Sequence, residues 1–534
     1  MKRRNEKKIV KERLLTSLIA AFALTGLQAQ TANSVPRLVV GLTIDQLRLD
    51  YIEAFESLYG EDGFKRLFRE GRVYTNTDYG FSGVDRASAL ASLYTGTSSG
   101  INGIIGADWV DRGTMRVLNC VEDLSFMGIY TDETTSAVSL LTSTLSDELK
   151  VATQGKAWMY AIAPYRDAAV LAAGHAGDGA FWINDESGKW CGTTYYPEFP
   201  YWVTRFNDQK GTDKRISDCT WEPLFPVEKY SFLKSEWGQD GFYYRFADER
   251  TNKCRKFKTC PYVNDEVNKL AEECLYNAPM GQDDVPDLLA LTYYAGNYDH
   301  KTVLEAPVEM QDMYVRLDKS IADLLDLLDK KVGLSNTLVF IASTGYVDAE
   351  ASDLKKYRIP TGEFYPHRCA ALLNMYLNAI YGAGQFVEAY HGSQIYLDHQ
   401  LIENKQLDLR EVVSKSADFL IQFSGVNEVY TAYRLLLGAW TPEVYRVRNA
   451  FNRKRSGDLL IDVLPGWKIV HENSSKEQVV RKGFVPAPLF FVGIGIRPQI
   501  VDTPVDMRCV APSVAHVMRI RAPNASTWIP LDLK

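Results

Sequence analysis

The chain has 534 residues, 46% of them hydrophobic and 24% charged, with a net charge of −7. This composition supports a sizeable buried core and excludes wholesale disorder, and the length allows two to four domains or one large domain with insertions. No apolar run reaches the roughly 18 residues of a membrane span, and no extended basic tract lies outside the N-terminus, so a multi-span membrane protein is excluded and nucleic acid is not expected as a partner.

The first 29 residues read as an export signal. Lys2, Arg3, Arg4, Lys7, Lys8, Lys11 and Arg13 precede an apolar stretch from Leu14 to Leu27, followed by Gln28-Ala29-Gln30. A basic region, a short apolar region and a small residue before a polar start make a secretory signal cleaved after Ala29. Its removal takes away seven basic and two acidic side chains and leaves a net charge of −12. The expected location is the periplasm or cell envelope, with no transmembrane span after cleavage.

The run Arg37-Leu38-Val39-Val40-Gly41-Leu42-Thr43-Ile44 predicts a strand buried on both faces, ending at Asp45. A carboxylate at the C-terminal end of such a strand lies where open α/β sheets place their sites. Helical sequence follows to about Gly71, then a strand over Val73–Tyr79 and a helix over Arg86–Tyr94. Further strands are predicted at Trp158–Ala163, Leu288–Tyr293, Thr337–Ala342 and Pro488–Val492. The apolar residues of Met310–Lys331 recur at three- and four-residue steps, which predicts an amphipathic helix. This alternation predicts an α/β fold with a mostly parallel central sheet flanked by helices. Residues 181–184 and 192–196 flank a polar turn and predict a hairpin. The aromatic-rich region near 180–280 reads as an inserted cap, and 350–480 as a second, α+β insertion, within one domain over 30–534.

All eight Cys lie in the region after the signal, at 120, 191, 219, 254, 260, 274, 369 and 509. An even count in an exported chain permits disulfides, and Cys254 and Cys260 are close enough for a short loop. Buried thiols are the alternative reading. No C-x-x-C motif is present.

Several blocks in order resemble the alkaline phosphatase superfamily, and within it the exported, phosphate-irrepressible, zinc-dependent alkaline phosphatases. They are Asp45 after its strand, Tyr94-Thr95-Gly96, Gly106-x-Asp108-Trp109, Ala173-Gly174-His175-Ala176, Ala180-Phe181-Trp182, Asp284 to Ala290, Tyr314 to Asp318, and Pro488 to Gly493. The resemblance spans about Pro36 to Pro530. It implies a two-zinc phosphomonoesterase with a Thr or Ser nucleophile at a helix N-terminus, Asp and His ligands at strand ends, and a Lys and an Arg on the phosphoryl oxygens. In two-metal catalysis one ion activates the nucleophile and the other stabilises the leaving oxygen.

Position by position, the resemblance implies a degenerate site. The nucleophile position is Arg86, whose guanidinium has no nucleophilic oxygen and is always charged. The phosphoryl-contacting Asn is replaced by Ala107. The Lys-x-Arg pair becomes Pro164 and Arg166, so only the Arg is retained. The ligand positions are Asp45, Asn297, Lys301, Ser343, Thr344 and Phe484, of which Asp45 alone keeps a metal-binding side chain. His175 and His300 read as structural. Ser82 and Ser88 are the nearby hydroxyls that could replace the nucleophile, but Ser88 should point away.

The resulting expectation is an exported pseudoenzyme without zinc, a binding or scaffold component of the envelope with a protein partner. Its old site should hold a charge cluster, with Asp45 in salt-bridge reach of Arg86 or Lys301. Arg86, Arg166 and Lys301 could together bind a small anion such as phosphate or sulfate. The alternatives are an active phosphomonoesterase or related ester hydrolase with a rearranged site, and a glycan-binding protein that uses the aromatic-rich insertion.

Overall fold

The structure is a computed structural model that describes residues 35–533 apart from 234–240, 348–359, 471–476, 480–484 and 486. The signal-peptide reading of residues 1–29 and the relic position Phe484 therefore lie outside the described residues.

The fold is α/β, built on a large central sheet. Its strands are β1 (Leu38–Asp45), β2 (Arg72–Asp78), β3 (Met159–Ala163), β4 (Gly179–Ile183), β5 (Trp190–Thr193), β6 (Asp287–Tyr294), β7 (Thr337–Ser343), β8 (Ala487–Gly493) and β9 (Gln499–Val501). Their order is β9-β2-β8-β7-β1-β6-β3-β4-β5, with Gly128–Ile129 beyond β5. The centre, β7-β1-β6-β3-β4, is parallel throughout. β8 pairs antiparallel with both β7 and β2, and β5 pairs antiparallel with β4. The sheet is thus parallel at its core and mixed on its flanks, where β9 pairs parallel with β2. β4 and β5 are the two arms of the predicted hairpin, the second ending three residues earlier than expected, and the other predicted strands form with ends within a residue or two.

Strand geometry decides what faces what. Successive side chains alternate between faces, so Leu38, Val40, Leu42 and Ile44 join the core on one side of the sheet. Val39, Gly41, Thr43 and Asp45 face the other side. There Tyr94 and Phe340 come so close to Gly41 that a Cβ would collide with both. A glycine at this position lets helix α1 (Arg86–Thr95) lie against the sheet, helped by Ala87, Ala89 and Ala91 in the core on that side. Helix α2 (Arg166–Ala173) packs beside α1. Helix α3 (Pro307–Lys331) covers the opposite face and buries Met313, Leu317, Ile321, Leu324, Leu325 and Leu328, as its periodicity predicts.

Between β7 and β8 the chain builds a separate four-stranded antiparallel sheet from Val387–His391, Gln394–Leu397, Leu459–Val463 and Val426–Thr431. It has its own core, including Leu373, Ile395, Val412 and Ile461. Asp458 ties this sheet to the main body: Arg112 lies 3.3 Å away, and the Arg112 Nη2 donates to Ser456 O at 2.9 Å.

All eight Cys are unbridged, seven of them buried. The short Cys254–Cys260 loop permitted by spacing is not closed. Both thiols instead pack in the core beneath the 180–280 region.

Candidate functional site

The site forms at the carboxyl ends of the parallel strands, where open α/β sheets place their ligands. β1 ends in Asp45, whose side chain is fully buried. β7 ends in Ser343, followed by Thr344, and β3 leads into Pro164, Tyr165 and α2. The N-termini of α1 and α2 meet at this edge.

Helix α1 begins with a reciprocal cap. Asp85 Oδ1 accepts from the Ser88 backbone N–H at 2.8 Å, and the Asp85 N–H donates to Ser88 Oγ at 3.0 Å. The other Asp85 oxygen accepts from the Ala107 N–H at 2.7 Å. Burial pushes the Asp85 carboxyl up, against these hydrogen bonds. The cap places Arg86 as the first helical residue, aimed at the end of β1.

Arg86 is clasped between two carboxylates. Its Nη1 lies 3.4 Å from Asp45 Oδ2, and its Nη2 lies 3.1 Å from Asp167 Oδ2. Nε is 3.2 Å from both oxygens of Asp167. The guanidinium stacks on Tyr165, 3.8 Å from the ring centroid. Burial works against the charge, but Asp167 and then Asp45 outweigh it and hold the Arg86 pKa well above its ordinary value. Asp45 also accepts from Thr344 Oγ1 at 3.0 Å and from Tyr346 Oη at 3.2 Å.

The other positions separate from this cluster. Thr344 Oγ1 accepts from the Gln46 N–H at 2.9 Å, and Ser343 Oγ donates to Leu47 O at 2.7 Å, so both hydroxyls staple strand ends. Arg166 lies 3.6 Å from Glu133 and 3.4 Å from Thr135 Oγ1. Asn297 is buried, and its carbonyl accepts from Tyr294 Oη at 2.8 Å. Lys301 does not pair with Asp45. Its Nζ donates to Tyr244 Oη at 2.9 Å, and that hydroxyl donates to Glu309 at 2.7 Å. The reason is the turn between Asn297 and Lys301, where Asp299 and His300 take left-handed φ values of 49° and 57° and send the chain toward the aromatic-rich region. Left-handed backbone is unfavourable for residues with a Cβ, so it persists only where the surroundings enforce it.

Sequence reasoning missed Asp167, Tyr165 and Tyr346. Asp167 carried a weak signal, an acid in the first turn of a helix directly after the retained Arg166. Ser88 is buried, and its Oγ donates to Asp85 Oδ1 at 2.7 Å, which commits it to the helix cap.

The residues present do not fit two zinc ions. Zinc takes carboxylate, imidazole or thiolate donors. The surviving carboxylate, Asp45, instead accepts from a guanidinium and two hydroxyls. Among the described residues, no three His, Cys, Asp or Glu side chains group so as to hold a metal ion. A guanidinium between Asp45 and Asp167 repels a divalent cation at the same place.

Comparison with known proteins gives a consistent family. The alkaline phosphatase PafA of Elizabethkingia meningoseptica is 29% identical over 96% of this chain and 98% of its own. A Myroides odoratus protein named calcium-transporting ATPase is 27% identical over 98% of each. A crystal structure of wild-type alkaline phosphatase PafA superposes with a TM-score of 0.81 at 28% identity, covering 94% of this chain and 99% of that one. The family model of type I phosphodiesterase / nucleotide pyrophosphatase matches residues 39–485. With that match over most of its length, and an alkaline-phosphatase-like fold around a site that lacks a metal cluster among the described residues, the chain belongs to the type I phosphodiesterase / nucleotide pyrophosphatase family.

Proposed function

We propose that this chain is a non-hydrolytic member of its family, derived from a zinc alkaline phosphatase, exported to the cell envelope and acting there as a binding or scaffold component. The observation that carries this reading is Arg86 held between Asp45 and Asp167, at the position to which the family resemblance assigns the attacking hydroxyl. A guanidinium cannot attack phosphorus, and it supplies permanently the positive charge that a metal would bring. The neighbouring hydroxyls of Thr344, Ser343 and Ser88 are each committed to a local hydrogen bond. Arg86 is engaged on two sides, so a small anion would have to bind at Arg166 and displace Glu133.

The test is elemental analysis of the purified protein together with hydrolysis of an aryl phosphate, with and without added zinc. The expected result is sub-stoichiometric zinc and background turnover. Two zinc ions per chain, or turnover restored by zinc, would replace this reading with that of an active ester hydrolase. The export half is tested by cell fractionation and by N-terminal sequencing, which should begin at Gln30.

A further inference from the structure

The accessory sheet carries a helical hairpin, formed by α4 (Ala432–Leu437) and α5 (Pro442–Ala450). The hairpin has an inner and an outer apolar side. Inside, Leu435 and Val444 pack with Tyr430 and Phe451 in a small core of their own. Outside, Leu437 is 78% exposed, Trp440 63%, Leu436 40% and Tyr433 37%. Packing of the hairpin does not require these four, and leaving such side chains in water forfeits the gain from burying them.

The charge around the tip is opposite to that of the chain. Residues 432–455 carry six basic side chains against the single acid Glu443, within a protein of net charge −7. The guanidiniums lie on the exposed rings themselves. Arg448 lies 4.3 Å from the Trp440 centroid and donates to Leu436 O at 3.2 Å. Arg410 lies 5.7 Å from the Tyr433 centroid. Two of the six are neutralised locally, Arg434 by Glu428 at 3.0 Å and Arg446 by Asp78. Among the described residues, Arg448 and Arg410 have no carboxylate partner.

Exposed leucines and a tryptophan beside Arg448 and Arg410 match a bilayer interface: the apolar groups enter the acyl boundary while the guanidiniums meet lipid phosphates. We propose that the α4–α5 hairpin docks this protein peripherally on an anionic bilayer surface. Charge complementarity selects that occupant, because a net-acidic protein gains from a local basic patch only against a negative surface. The proposal is independent of whether the Arg86 site hydrolyses esters.

The experiment is co-sedimentation of the full chain with phosphatidylcholine vesicles, with and without phosphatidylglycerol. Binding is expected only with phosphatidylglycerol, and it should weaken as salt is raised. Arg448→Ala should reduce the partition coefficient about fivefold, the contribution of one basic side chain near an anionic surface. Leu437→Ser with Trp440→Ser should reduce it about tenfold or more through lost apolar burial, while Met375→Ser, exposed on another helix, should leave it unchanged. Unchanged circular dichroism shows that the variants fold. Absence of binding to phosphatidylglycerol vesicles, binding insensitive to the hairpin variants, or retention by an acidic polypeptide in place of vesicles would each overturn the proposal.

Discussion

Arg86 Nη1 lies 3.4 Å from Asp45 Oδ2, joining the first residue of a helix to the last residue of the central strand. The same guanidinium holds Asp167 at 3.1 Å, so one cation serves two largely buried carboxylates. Replacing Arg86 with Ala would leave both acids without their cation and should destabilise the protein by about 3–5 kcal/mol. Asp45→Ala should cost less, because Asp167 still neutralises Arg86, although Thr344 and Tyr346 lose an acceptor. Urea denaturation measures both. A loss below about 1 kcal/mol for Arg86→Ala, the range of exposed ion pairs, would show that the clasp is solvated rather than structural.

Ser88 is the hydroxyl nearest in sequence to the nucleophile position, but it caps a helix. Its Oγ donates to Asp85 and accepts from the Asp85 N–H. Ser88→Ala should lower stability by about 1 kcal/mol, the usual cost of losing a cap, and leave aryl phosphate turnover at background. Turnover in the parent protein that disappears in Ser88→Ala would reinstate Ser88 as a nucleophile.

His175 has an acceptor on each side: Asp147 Oδ2 at 2.8 Å from Nδ1 and Leu140 O at 3.1 Å from Nε2. Only the imidazolium form can donate to both acceptors at once, so these contacts favour the protonated ring. The hydrogen bond to Asp147 raises the His175 pKa, against burial. Burial pushes Asp147 up, but the hydrogen bond and charge of His175, with the Thr144 and Ala176 N–H groups, hold it below the usual carboxylate range. The histidine contribution is complete below the unfolded value of about 6.5 and is lost as pH rises through the folded value. The aspartate contribution is present above about 3.9 and is lost as pH falls through its lowered value. Melting temperature should therefore decline on the alkaline side in the parent protein and decline less in His175→Ala. Parallel declines in the two proteins would refute the pairing.

The eight Cys are unbridged thiols. Thiol titration in denaturant should count all eight, and reductant should not change the melting temperature. Fewer thiols, with a melting temperature lowered by reductant, would reveal a disulfide that stabilises the fold.

The local sequence determined much of this protein. The β-branched run from Leu38 to Ile44 specified a strand buried on both faces, and its period of two put Asp45 on the side of Gly41 and α1. The three- and four-residue spacing from Met313 to Leu328 specified α3 with its buried face. That Arg86 brings a permanent cation and no nucleophilic oxygen was equally plain, because residue chemistry does not depend on packing. Partner choice belonged to the tertiary structure. Arg86 and Lys301 were equal candidates for Asp45 on charge alone. Packing of α1 against α2 brought in Asp167, 81 positions along the chain from Arg86, while the left-handed turn at Asp299 and His300 carried Lys301 to Tyr244. Likewise the antiparallel pairings of β8 and β5 arise from which strands meet, which no single strand encodes. An ion pair acts over a few ångströms, so its partner is decided by where the chain returns rather than by what precedes it.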